Sequence, residues 1–170
     1  MKIRKAVLKD APGIAKVHVD SWRTTYKEII PGSYLNDLSY EERTGMWNRV
    51  LKEERGNVIV AEGEDGGIAG FASRNGKDDS CDLTAIYLLE EFQGRGIGKM
   101  MFEKLFKHFK EVGYGKIYVE VLEDNKTRRF YEYYGAKLTD TVEIQIGGEI
   151  FNELIYEWDD VDEVIGKLHK

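Results

Sequence analysis

The stretch that decides the fold is Cys81-Asp-Leu-Thr-Ala-Ile-Tyr-Leu-Leu-Glu-Glu-Phe-Gln-Gly-Arg-Gly-Ile-Gly-Lys-Met-Met101. Its first part is rich in β-branched, aromatic and aliphatic residues and predicts a buried strand. Gly94, Gly96 and Gly98 follow at alternate positions. Beyond them Ile97, Met101, Leu105 and Phe109 recur at helical spacing. Strand, glycine loop and helix start aim free backbone N–H groups and the positive end of a helix dipole at one point. Side chains at the glycines would hold an anionic ligand off that backbone. The residues alone predict a phosphate cradle.

Several cradles share this outline. A Walker loop needs Gly where Gln93 stands and Ser or Thr where Met100 stands, so it fails twice. A dinucleotide fingerprint would use Gly94 and Gly96 but needs Gly or Ala at Lys99. It also expects glycine directly after the strand, whereas Glu90 to Gln93 intervene. A glycine-rich turn with no ligand is the plain alternative.

Composition narrows the class. At 170 residues the chain is sized for one domain with a real core. An apolar fraction of 42% beside 33% charged residues suits a soluble globular protein, and no apolar run approaches a membrane span. No signal-peptide pattern opens the chain, and its single cysteine, Cys81, excludes an internal disulfide framework. Both features predict a cytoplasmic protein with a buried free thiol. A net charge of −6 argues against nucleic acid and is permissive of a cationic acceptor. His18, His108 and His169 show no paired-ligand spacing, so no metal is expected.

In chain order, Lys2 to Ala6 reads as a strand. Asp10 is placed to cap a helix carrying Ile14, Val17, His18, Ser21, Trp22 and Thr25 on one face. Ser39 and Glu42 form a capping box that opens a second helix. Two strands, Asn57 to Glu62 and Ile68 to Ser73, flank a glycine-rich hairpin turn, and a polar loop from Arg74 to Ser80 leads into the central strand. The helix after the glycines stops at Gly113 and Gly115, before a strand from Lys116 to Leu122. A helix separates this strand from the central one, so the two should run parallel. A helix over Thr127 to Tyr134 and a hairpin turning at Gly147-Gly148 follow. A short, partly frayed helix ends the chain. The order predicts an α+β fold with a mixed sheet.

Gln93-x-x-Gly96-x-Gly98, preceded by Ile86-Tyr87-Leu88, resembles the acetyl-CoA signature of the GNAT superfamily of N-acetyltransferases. Asn125-Lys-Thr-Arg-Arg-Phe-Tyr-Glu-Tyr-Tyr-Gly-Ala136 resembles a second segment of that family, and the element order matches from end to end. The resemblance implies a largely antiparallel sheet with a splayed parallel central pair and helices on both faces. It implies acetyl-CoA as cosubstrate and an amine acceptor of small-molecule or peptide type. Transfer would be direct, within a ternary complex; family members often pair as dimers, so the resemblance leaves a homodimer open without fixing the oligomeric state. A non-catalytic acyl-CoA sensor is the rival reading.

By the same resemblance, amides from Gln93 through Gly94, Arg95, Gly96 and Gly98 to Lys99 hold the pyrophosphate, with charge added by Arg95 and Lys99. The backbone of Ile86 and Leu88 pairs with the pantetheine amides. Tyr131 stands in register with the tyrosine that protonates the departing thiolate. Asn125 matches a CoA contact, although it falls one residue nearer that tyrosine than the family pattern has it. Asp82 is the leading candidate for the base, acting through water, with Glu120 as backup. Period two would put Asp82 and Thr84 on one strand face with Ile86 and Leu88. The acceptor site would lie between the N-terminal helices and the C-terminal hairpin, with Trp22, Tyr26 and Trp47 as wall or core.

Overall fold

A computed structural model describes residues 1–53 and 57–170. Among the described residues seven strands form one sheet in the order β1-β2-β3-β4-β5-β7-β6. They are β1 (Lys2–Lys5), β2 (Asn57–Glu62), β3 (Ile68–Lys77), β4 (Ser80–Leu88), β5 (Lys116–Leu122), β6 (Lys137–Ile146) and β7 (Glu149–Trp158). Every neighbouring pair is antiparallel except β4 with β5. The parallel pair follows from its connection, because α4 (Ile97–Val112) must cross the sheet between the two strands.

Apolar periodicity sends helices to both faces. On one face α1 (Ala11–Thr25) and α3 (Tyr40–Lys52) bury Ile14, Val17 and Trp47 against Phe71. On the other, α4 lays Met101, Phe102, Leu105, Phe106 and Phe109 on the sheet beside Trp158. Side chains of this size each contribute about 1.5–3 kcal/mol when fully buried. Two short helices, α2 (Gly32–Asn36) and α5 (Arg128–Tyr133), frame the open end of the sheet. The Gly147-Gly148 turn has positive φ at both positions, as its two-residue hairpin requires.

Three local expectations give way. Asp10 does not cap α1 through its side chain, because its carboxylate accepts from Val7 N at 2.8 Å and from both terminal nitrogens of Arg4. The segment from Arg74 onward is not a loop. Antiparallel pairing extends β3 to Lys77, and the turn contracts to Asp78 and Asp79. Nor is the last helix, α6 (Val161–Leu168), frayed: Asp160 caps it and Val161, Val164 and Leu168 are buried against α4.

Candidate active site

The site begins where β4 and β5 part. They pair only from Ser80 and Lys116 to Leu83 and Val119, yet β4 runs on to Leu88 and β5 to Leu122. Thr84 is an extra residue in the β3/β4 ladder, since Arg74 faces Leu83 while Ser73 faces Ala85. Its hydroxyl donates to the Ser73 carbonyl at 3.0 Å and secures this bulge. Past the bulge, the backbone of β4 leaves its parallel neighbour and borders a cleft.

That cleft, about 360 Å³, is lined by Ile86 and Leu88 on one side and by the glycine loop on the other, with Tyr131 at its inner end. Gly94 and Gly96 adopt φ of +75° and +79°, a left-handed conformation that glycine takes without strain. A Cβ at Gly94, Gly96 or Gly98 would meet no atom within 4 Å, so the cradle is open to a ligand. Helix α4 starts here, with Met100 N donating to Gly96 O as its first helical bond. The amides of Ile97, Gly98 and Lys99 thus precede the ladder and face outward without a helical acceptor. Gln93 donates from Nε2 to Leu88 O at 3.0 Å, clamping loop to strand. Open amides beside an unpaired strand edge fit a pyrophosphate with an extended amide-bearing tail.

Tyr131 is buried, packed near Phe102 and Trp158. Burial, aided by the Tyr26 phenol, raises its pKa above the ordinary tyrosine value, so the hydroxyl stays protonated. It also lines a narrower space of about 50 Å³ with Tyr26, Tyr87, Glu120 and Asn125, continuous with the splay. Here the hydroxyls of Tyr26 and Tyr87 are neighbours, and Trp22 Nε1 donates to Tyr87 at 3.0 Å. Tyr134 is buried in the core, whereas Tyr133 is 68% exposed.

The structure separates some residues that the sequence groups. Because the bulge inserts one residue, Asp82 lies on the opposite sheet face from Ile86 and Leu88. Cys81 and Leu83 pack on the α4 side with Ile86 and Leu88, leaving Asp82 on the side of α1. Arg95 stacks over the Phe92 ring at 5.5 Å and does not line the cleft, although Lys99 does. Asn125 is buried and already engaged: Nδ2 donates to the Tyr26 hydroxyl at 3.1 Å, and Oδ1 accepts from Thr127 N at 2.9 Å. Trp47 is core, 4.9 Å from the Phe71 ring, and its indole donates to His18 Nδ1. Burial brings His18 down to about 4, so it is neutral, and raises Cys81 to about 11, an inert thiol.

Sequence reasoning missed Glu153. Ladder register puts Glu120 opposite Ile155 and Glu153 opposite Leu122, so the two carboxyls are diagonal neighbours on one face. Burial and a shared hydrogen bond with Glu120 raise Glu153 to about 7. Asp82, opposite Tyr118 in the paired part of β4 and β5, shares a hollow with Glu120 and is raised by burial and by Glu120. No local motif marks Glu153; only the pairing of β5 with β7 reveals it.

A CoA-type cradle, a splayed parallel pair and a buried phenol between them define an acyltransferase that uses an acyl-CoA thioester. The model of the acetyltransferase (GNAT) family matches residues 18–136, and the chain belongs to that family. Over 167 residues it is 40% identical to the uncharacterized N-acetyltransferase YuaI of Bacillus subtilis, covering 94% of this chain and 93% of the relative. It is 29% identical to a spermine/spermidine N(1)-acetyltransferase of the same organism, over 67% of this chain and 80% of that one. The crystal structure of PaiA N-acetyltransferase from Thermoplasma acidophilum in complex with coenzyme A shares the fold, with a TM-score of 0.75 at 23% identity. That match covers 94% of this chain and 98% of the other. The protein is an acetyl-CoA-dependent N-acetyltransferase. Among the described residues no group of His, Cys, Asp and Glu is placed to hold a metal, and no helix is long and apolar enough to cross a membrane.

Proposed function

We propose that the acceptor is a primary amine of a polycationic small molecule, of the polyamine class, acetylated directly in a ternary complex. The observation that carries this reading is Glu120, which lines the splay with Tyr131, has Asp82 in an adjoining hollow and has Glu153 diagonal to it in the β5/β7 ladder. Burial and the hydrogen bond to Glu120 keep a proton on Glu153 up to about pH 7. An incoming ammonium group favours its release, and a second ammonium would find Asp82. The similarity to a spermine/spermidine acetyltransferase supports the same class.

The chemistry assigns each residue a task. The loop amides from Gln93 to Lys99 grip the pyrophosphate, and the free edge of β4 at Ile86 and Leu88 aligns the pantetheine arm. The ammonium loses a proton toward the carboxylates, through water where Asp82 receives it, and the neutral amine attacks the thioester carbonyl. The C–N bond forms as the C–S bond breaks. Tyr131 gives its proton to the departing thiolate, the acetylated nitrogen sheds its second proton and so restores Tyr131 through solvent, and the proton first taken by the carboxylates passes to bulk water. The aromatic group of Trp22, Tyr26 and Tyr87 excludes bulk water from the junction. We place this activity in the cytoplasm, where acetyl-CoA and a reduced Cys81 are compatible.

The test is release of CoA thiol with a panel of polyamines, monoamines, amino acids and peptides. Polyamines should give the highest kcat/KM. Equal or better turnover with singly charged amines or peptides would refute the acceptor class, and silence across the panel would favour a sensor.

A further inference from the structure

A second hollow lies on the α4 face, away from the cleft and sharing no lining residue with it. Strands β1 to β3 and the C-terminal half of α4 enclose about 440 Å³. That is within the size range of small-molecule sites, roughly 300–1,000 Å³. Its charged walls are Lys5, Arg74, Lys104 and Lys107, with His108 and a single carboxylate, Glu111. The excess of cations is conspicuous in a chain of net charge −6.

Arg74 sets the character of the hollow. It lies opposite Asn57 in the β2/β3 ladder and is only 7% exposed. Among the described residues no carboxylate neutralises it. The groups around it are the Phe109 ring at 5.9 Å, the Cys81 thiol and the Tyr114 phenol. A guanidinium carries five donors, and a buried cation without a counter-charge is strongly disfavoured. Nearer solvent, Lys5 and Lys104 are exposed, and Lys107 divides its charge with Glu103 at 2.8 Å.

We propose that this hollow binds a small phosphate-bearing anion, with Arg74 as the buried fork and Lys5 and Lys104 closing over the ligand from the rim. Arg74 suits the bidentate geometry of phosphate oxygens. Arg74, Lys5 and Lys104, beside a Lys107 already paired with Glu103, outweigh Glu111 and favour a ligand with two or more negative charges over a simple monocarboxylate. The site is separate from the acetyl-CoA cradle and does not depend on the acceptor reading.

The experiment is thermal-shift and calorimetric titration with inorganic phosphate, with pyrophosphate and with citrate, at ionic strength held constant with sodium chloride. CoA is kept saturating so that the glycine cradle is filled. Wild-type protein should show a saturable rise in Tm with the phosphate probes, tighter than with citrate. Arg74→Met should weaken that binding roughly ten- to a hundredfold, and Lys104→Gln should weaken it severalfold. CoA affinity should not change in either variant. No saturable effect beyond chloride, an undiminished effect in Arg74→Met, or tighter binding of citrate would overturn the proposal. If Arg74→Met does not fold, unchanged phosphate affinity in both Lys5→Gln and Lys104→Gln would overturn it equally.

Discussion

Asn125 Nδ2 donates to the Tyr26 hydroxyl across 3.1 Å, joining the loop that opens α5 to the end of α1, two parts of the chain 99 residues apart. Tyr131 follows Asn125 on that loop and helix, and Tyr26 lines the same narrow space as Tyr131. The bond therefore sets the spacing between Tyr131, the proposed proton donor, and the proposed amine-binding side.

Replacing Asn125 with Ala removes one of the two partners of the buried Tyr26 phenol and leaves the Thr127 amide without its acceptor. A loss of about 1–3 kcal/mol in unfolding free energy is expected, measured by urea denaturation. The acceptor KM should rise while the CoA dissociation constant stays near wild type. A selective loss of CoA affinity would instead make Asn125 a direct cofactor contact.

Gly98 offers a clean separation of fold from binding. It lies in α4 without a positive φ, and a Cβ there meets nothing in the protein. Gly98→Ala should preserve or slightly raise Tm, since alanine is the better helix residue, while weakening CoA binding. Gly96→Ala should do both kinds of damage, because its φ of +79° costs a side chain about 1–2 kcal/mol. Unaltered CoA affinity in Gly98→Ala would mean that the cofactor does not approach this turn.

The carboxyl pair makes a prediction about pH. Glu153 rises from its ordinary 4.5 to about 7 in the fold, so the native state holds its proton more tightly than the unfolded chain. Stability should therefore fall as pH rises from about 4.5 to 7, because in that window the unfolded chain has already released the proton. The kcat/KM for acceptor should move the other way, rising through a value near 7 as Glu153 ionises. Glu153→Gln should flatten both slopes. A rising limb that persists near pH 7 in this variant would assign the titration elsewhere.

The cradle was legible because its requirements are local. Three alternate glycines between a strand and an amphipathic helix can be read without knowing what they face. The same holds for the Gly147-Gly148 turn and for Tyr131, fixed by one helix register. Asp82 was misplaced by a nonlocal cause: Thr84 carries no mark of a bulge, and a single inserted residue reverses every later face. Asn125 looked available because its partner lies at the far end of α1. Glu153 and the cationic hollow around Arg74 depend on strand pairing and on how α4 sits over the sheet, which one-dimensional patterns do not encode.

The central claim is that Tyr131 supplies the proton to the departing thiolate, and Tyr131→Phe tests it most directly. Steady-state turnover and CoA binding by calorimetry should be measured on the same preparation. The expected result is unchanged CoA affinity and Tm with kcat reduced about 10²–10⁴-fold. Turnover at the wild-type rate with CoA still bound would contradict it.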